Sequence, residues 1–142
     1  MQHGIAIGEV SRASGVKVPT IRYYEQIGLL PAPPRTEGGR RTYDRKDLER
    51  LTFIRHSREL GFDIDGIKTL LALQDSPDQP CGQADGIARA RLADVRQKIA
   101  SLTALKHELE RMVEGCSHGR VETCRVIEIL ADHGKCQYHG EA

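Results

Sequence analysis

Residues 82–114 impose the strongest constraint on the fold. Leu92, Val95, Ile99, Leu102, Leu109 and Val113 recur in alternating steps of three and four, and Lys106 occupies one slot where an apolar residue is due. Such spacing predicts a single long helix, from about Gly82 to Glu114, with an apolar seam that needs a second helix. The lysine reads as a register or orientation device. The remainder of the chain offers little to cover that seam. Aromatic residues make up only 4%, Trp is absent, and residues 1–73 have little apolar surface to spare. Cysteines bracket the helix: Cys81 stands just before it, Cys116 and Cys124 just after. The 35 residues from Cys81 to Cys116 correspond to roughly 50 Å along a straight helix. One chain therefore cannot bring these thiols to a common ligand. Two antiparallel copies can, with Cys81 of one beside Cys116 and Cys124 of the other.

The formal charge of +1 conceals an asymmetry. Residues 1–60 hold eleven Lys/Arg against seven Asp/Glu, and residues 61–142 hold ten against thirteen. A basic half suits a polyanionic partner. No apolar run reaches membrane-spanning length and the N-terminus lacks a signal-peptide pattern, so a cytoplasmic protein is expected. Four cysteines in a reducing compartment read as metal ligands or redox thiols rather than structural disulfides. Paired carboxylates in a plausible cleft, a nucleophile motif and a phosphate-cradling glycine loop are all missing, which argues against an enzyme.

Along the chain, residues 5–14 read as a short helix ended by Gly15. Val18–Ile27 reads as a second, with Pro19 in its first turn and Gly28 as its stop. Residues 31–43, rich in Pro, Gly and Arg, form a hairpin or loop. Asp44–Leu60 is a third helix and about Asp65 to Leu73 a fourth; Asp75–Pro80 is the clearest linker. After the long helix and a loop, Thr123–Ala131 is expected to form a short final helix. The resulting division is 1–74, 75–81 (linker), 82–115 and 116–142.

Two short helices joined by a tight turn make a helix-turn-helix. The second carries Thr20, Arg22, Tyr23 and Tyr24, groups able to reach phosphates and base edges in a major groove. One of the adjacent tyrosines belongs to the core, because neighbouring helical positions point about 100° apart. Arg35, Arg40 and Arg41 in the following loop suit a wing laid along the backbone, where each cation acts mainly through counterion release.

The segments IGEVSRASGV, PTIRYYEQIGLL, GGRRTYDRKDLERLTFIRHSRELGF and IKTLLAL, in that order, strongly resemble the MerR family of bacterial transcription regulators. The resemblance is dense over residues 5–73 and continues through the long helix. It implies a mainly α fold: a winged helix-turn-helix DNA-binding domain, a long antiparallel coiled-coil dimerisation helix, and a short C-terminal metal-binding loop and helix. It carries DNA contacts onto Thr20, Arg22, Tyr24, Arg35, Arg41, Tyr43 and Arg55. Arg40 stands where the family wing usually has a tyrosine, which favours phosphate contact over stacking. The implied partners are a second copy, a pseudo-palindromic operator in double-stranded promoter DNA, and RNA polymerase at that promoter. Activation would come from bending and untwisting the duplex.

Thiolates are soft ligands suited to Zn²⁺, Cd²⁺, Pb²⁺, Hg²⁺ and Cu⁺. Cys116 and Cys124 flank a glycine-containing loop able to fold around an ion. A partner's Cys81 supplies a third ligand, with His118 as a weaker fourth. Cys136, His133 and His139 in the tail form a possible auxiliary site. By resemblance, the cysteine at position 81 is similar to the divalent sensors, since the copper(I) branch generally has serine there. Zinc is therefore expected first, with cadmium or lead behind it. The rival readings are a thiol-based redox regulator, a copper(I) sensor of the same family, and a metal buffer whose basic half is incidental.

Overall fold

The computed structural model describes residues 4–115, 118–132 and 134. It divides into two compact units, residues 1–88 and 89–142.

The first unit opens with a two-residue strand, β1 (Ile5–Ala6), which leads directly into α1 (Ile7–Ser14). The sequence reading had placed one helix over 5–14. Its first two residues instead pair antiparallel with β2 (Thr42–Tyr43), Ile5 opposite Tyr43 and Ala6 opposite Thr42. That non-local pairing outweighs local helix preference. α1 ends at Gly15, whose φ of 75° closes the turn by directing its N–H to Ser11 O, a left-handed conformation that glycine adopts without steric cost. Two side chains fix the turn that follows: Ser11 Oγ donates to Val16 O at 2.7 Å and Val16 N–H donates to Ser14 Oγ at 3.1 Å. The chain then enters α2 (Val18–Gln26), with Pro19 in the first turn, where a missing N–H is harmless.

α3 (Arg45–Glu59) starts with a reciprocal capping box: Asp47 N–H donates to Asp44 at 2.9 Å and Asp44 N–H to Asp47 at 3.0 Å. α4 (Ile64–Gln74) is capped by Asp63, which accepts from Gly66 N–H at 2.7 Å. Both starts lie within a residue or two of those expected. Val10 of α1, Ile21 of α2, Leu51 and Ile54 of α3, and Ile67 and Leu71 of α4 are buried together with Leu29, Leu30 and Tyr43. Each such side chain contributes about 1.5–3 kcal/mol by leaving water, so this shared core holds the recognition elements in place.

α5 (Gly82–Glu114) is a continuous 33-residue helix, as the heptad spacing predicts. Leu92, Ile99, Leu102, Leu109 and Val113 remain between 45% and 69% exposed. In the second unit, burial on α5 falls on a neighbouring face, at Glu108 and Met112. Glu108 pairs with Arg111 at 2.8 Å. A 3₁₀ turn (Val121–Thr123) follows, then α6 (Arg125–Ala131), whose buried residue is Ile129. The expected helix over Thr123–Ala131 is thus interrupted: Cys124 is extended (ψ 122°) and separates the two pieces.

Candidate nucleic-acid interface and thiol loop

α2 buries Ile21 and Tyr24, so the next positions around the helix, Arg22 and Tyr23, face solvent. Of the two adjacent tyrosines, Tyr24 is the core residue and Tyr23 is half exposed. Thr20, at the start of the helix, shares a groove with Gly15, Lys17, Tyr24, Arg55 and Arg58. Arg55 lies across the turn: its Nη1 donates to Ser14 O at 3.3 Å and its Nε pairs with Glu59 at 3.1 Å. Any Cβ on Gly15 would come within 2.2 Å of that guanidinium. Glycine here therefore serves both the turn and the placement of a cation.

The wing is a tight hairpin. Arg35 and Arg41 form a backbone bridge. Thr36 N–H donates to Arg40 O and Gly39 N–H to Thr36 O, both at 2.8 Å, and Arg35 Nη1 closes the tip on Gly39 O at 2.9 Å. Arg22 from the helix and Arg35, Arg40 and Arg41 from the wing line one cleft with Ala6 and Ile7. Two elements thus bring four arginines to the lining of one cleft, an arrangement suited to a phosphate backbone.

Tyr43 does not join that surface. Its ring is buried and its hydroxyl donates to Glu25 Oε1. Burial first, then the hydrogen bond to Glu25 and its charge, push the phenol well above its ordinary range, so it remains a donor. Tyr43, expected at the DNA face, is thus placed inside the wing, which it supports from within.

Cys81 is exposed, and its carbonyl accepts from Asp85 N–H at 3.0 Å, so it sits on the first turn of α5. Cys124 is half-buried. Its N–H donates to Val121 O at 3.0 Å and its O accepts from Glu128 N–H at 2.9 Å, which fixes the backbone on both sides of the thiol. His118 is exposed, with φ of 56°. Cys116, Cys136, His133 and His139 lie outside the described residues. Among the described residues, no three His, Cys, Asp or Glu side chains converge on a metal-sized site. The donor chemistry fits a soft ion, for which Cys124 offers a thiol on a backbone that is already ordered.

Residues 5–74 match the MerR HTH family regulatory protein family, and residues 48–112 match the MerR DNA-binding family. The HTH-type transcriptional regulator ZntR of Escherichia coli K12 is 39% identical over 128 residues, covering 87% of this chain and 90% of the relative. The chain belongs to the MerR family. Heavy metal-dependent transcription regulator 2 of Rhizobium meliloti is 37% identical over 135 residues, covering 95% of this chain and 91% of its own length. Among solved structures, the transcription regulator PbrR691 of Ralstonia metallidurans in complex with lead(II) superposes with a TM-score of 0.76. It has 38% identity and covers 89% of this chain and 98% of that one. The protein is thus a MerR-type transcription regulator and not an enzyme. No helix among its described residues is long and apolar enough to cross a membrane.

For this MerR-family regulator, sequence reasoning missed Glu25, the carboxylate that joins helix to wing. Its side chain, 9% exposed, receives Arg41 Nε at 3.0 Å as well as the Tyr43 hydroxyl. The available signal was a lone carboxylate, in TIRYYE, within an otherwise basic stretch. Glu25→Ala leaves the buried Tyr43 hydroxyl unmet, at a cost of about 1–3 kcal/mol, and frees the wing. Urea denaturation should show that loss, and a gel shift should show weakened operator binding. Glu25→Gln keeps an acceptor and should lose less. An alanine variant as stable as the parent would remove Glu25 from this role.

Proposed function

We propose that this MerR-family protein is a metal-responsive regulator that works as a homodimer on promoter DNA. The proposed division is a DNA-binding domain (1–74), a linker (75–81), a dimerisation helix (82–115) and an effector segment (116–142). DNA contacts are assigned to Thr20, Arg22, Arg35, Arg40, Arg41 and Arg55, together with the accessible edge of Tyr24. The observation that carries the reading is the solvent-exposed apolar stripe of α5, with Cys81 at its head and Cys124 held just beyond its end. An antiparallel partner covers that stripe and brings its own Cys81 to this chain's Cys116 and Cys124. The relatives add support, since one is named heavy metal-dependent and another was solved with lead(II).

The three thiols would hold a soft divalent ion, zinc first and cadmium or lead next, with His118 as the weaker fourth donor. Cys136, His133 and His139 remain a possible auxiliary set. Bound there, such an ion supplies a cross-link between the two chains. That linkage shifts the dimer only if the site is better formed in one arrangement of the winged domains than in the other. Bending a 20–30 bp site costs on the order of 1–6 kcal/mol by elastic estimates, within reach of metal-linked free energies. The dimer would then distort the promoter and realign it for RNA polymerase, activating transcription in place.

Cys81→Ser tests the assignment. Zinc affinity, read by chelator competition, should fall by more than the roughly 10–100-fold typical of losing a supporting partner. The promoter response should disappear, while metal-free operator binding is retained. Undiminished affinity and response in that variant would rule out a ligand shared between chains.

A further inference from the structure

One carboxylate lies among the cations of the groove at the helix-turn-helix. Lys17, Thr20, Arg55 and Arg58 line that groove beside Gly15, and Glu59 is the one acidic side chain among its described lining residues. Arg55 is held in place without Glu59. Its Nη1 donates to Ser14 O at 3.3 Å, and its guanidinium lies over Gly15, where a Cβ would stand 2.2 Å from Nη1 and 2.7 Å from Cζ. Glu59 Oε1 then pairs with Arg55 Nε at 3.1 Å. Arg58, the neighbouring guanidinium, is committed to the chain beyond α3, where it donates to Phe62 O at 2.9 Å.

Helix stability gives little reason for a carboxylate at position 59. Glu59 is the last residue of α3, where a negative charge opposes the helix macrodipole. The pair runs arginine first and glutamate four residues later, the weaker of the two orientations. Both side chains are more than half exposed, at 53% and 59%, and pairs of that kind contribute little to folding.

Taking this face as the DNA-binding one, as proposed above, we infer that Glu59 is a built-in competitor for Arg55: it occupies the guanidinium's charge against a DNA phosphate and so limits how tightly the helix-turn-helix grips any duplex. A phosphate approaching Arg55 meets a cation already neutralised, with a like charge beside it. The carboxylate either stays and repels the phosphate or must give up its partner; both weaken the contact. Phosphate contacts carry no sequence information, so the restraint acts on operator and non-operator DNA alike. It lowers the sequence-independent grip of the basic half and leaves contacts made by Arg22, on the exposed face of α2, untouched.

In full-length Glu59→Gln the side-chain amide keeps an oxygen for Arg55 Nε and loses only the charge. Operator affinity at low salt should rise about 3–10-fold. That is the scale of a unit charge roughly 7 Å from a phosphate in water, counted once or twice as one or two chains bind. Affinity for a scrambled duplex should rise by the same factor. Log affinity should also fall with log salt concentration more steeply, by about 0.9 for each bound chain. The urea midpoint should stay that of the parent, which a merely structural role for Glu59 would lower. Arg55→Gln should weaken binding. In that background the carboxylate has no cation holding it at the groove and turns to solvent, so adding Glu59→Gln should gain less than half as much. Affinity that is unchanged or lower in Glu59→Gln overturns the inference, as does a gain confined to the operator or one equally large with Arg55 absent. If Arg55→Gln and Arg22→Gln both bind operator as the parent does, it is the DNA-binding role of this face that fails, and the inference falls with it.

Discussion

Leu102→Glu combined with Leu109→Glu converts the protein to a monomer at micromolar concentration and lowers operator affinity by about 100-fold or more. Both leucines lie in the exposed stripe of α5, and each is worth about 1.5–3 kcal/mol when buried against a partner. In the proposed symmetric dimer the substitutions act twice. They forfeit that burial at four positions and place four carboxylates in an apolar seam, each penalised by several kcal/mol unless paired. Lys106, already near Glu110 at 3.7 Å on the same helix, offers one cation per chain against two new carboxylates. Separated subunits must bind half-sites singly and lose the 10²–10⁴-fold gain that linkage of two sites provides. Sedimentation equilibrium reads the mass and a gel shift the affinity. Leu60→Glu, at another exposed leucine in the first unit, serves as the control that stays dimeric. A double-glutamate protein that still sediments as a dimer would show that this stripe is not the interface.

The long helix and its exposed apolar stripe were legible in the sequence because helical periodicity is written locally, every third or fourth residue. The adjacent buried face, Glu108 and Met112, was not. Its burial comes from tertiary packing in the second unit, which no spacing encodes. The same distinction runs through the first unit. Helix starts at Asp44 and Asp63 are set by capping side chains within four residues and were found nearly to the residue. β1 was misread because Ile5 and Ala6 are determined by partners at Tyr43 and Thr42, far along the chain. At the DNA face, the 100° step between Tyr23 and Tyr24 correctly announced that one is core. The fates of Tyr43 and Glu25 depended on how the wing folds back, which composition cannot state.

The largest single-residue effect on stability should come from Leu51→Ala. Leu51 is fully buried on α3, in one cluster with Val10 of α1, Ile21 of α2 and Ile67 and Leu71 of α4. Removing its isobutyl group therefore opens a void in a cluster to which every helix of the winged domain contributes. Leucine-to-alanine changes at such sites cost about 2–5 kcal/mol, the upper end applying where neighbours cannot collapse inward. Here collapse is opposed on two sides: the capping box fixes the start of α3, and the serine-bonded turn fixes the approach of α1 to α2. Against a total stability of about 5–15 kcal/mol, that loss leaves a measurably unfolded population. For a unit of this size it corresponds to roughly 10 °C or more in melting temperature. Three of the four tyrosines, Tyr23, Tyr24 and Tyr43, lie in this unit and Trp is absent, so the change in tyrosine fluorescence during urea titration reports mainly on this domain. Leu60→Ala, at an exposed position, should stay within about 0.5 kcal/mol. The Leu51 variant should also lose operator affinity as it loses stability, because Ile21 of the recognition helix packs into the same cluster. A change below about 1 kcal/mol would mean that the four helices do not depend on this shared centre, and that the recognition helix is positioned by its turn and wing alone.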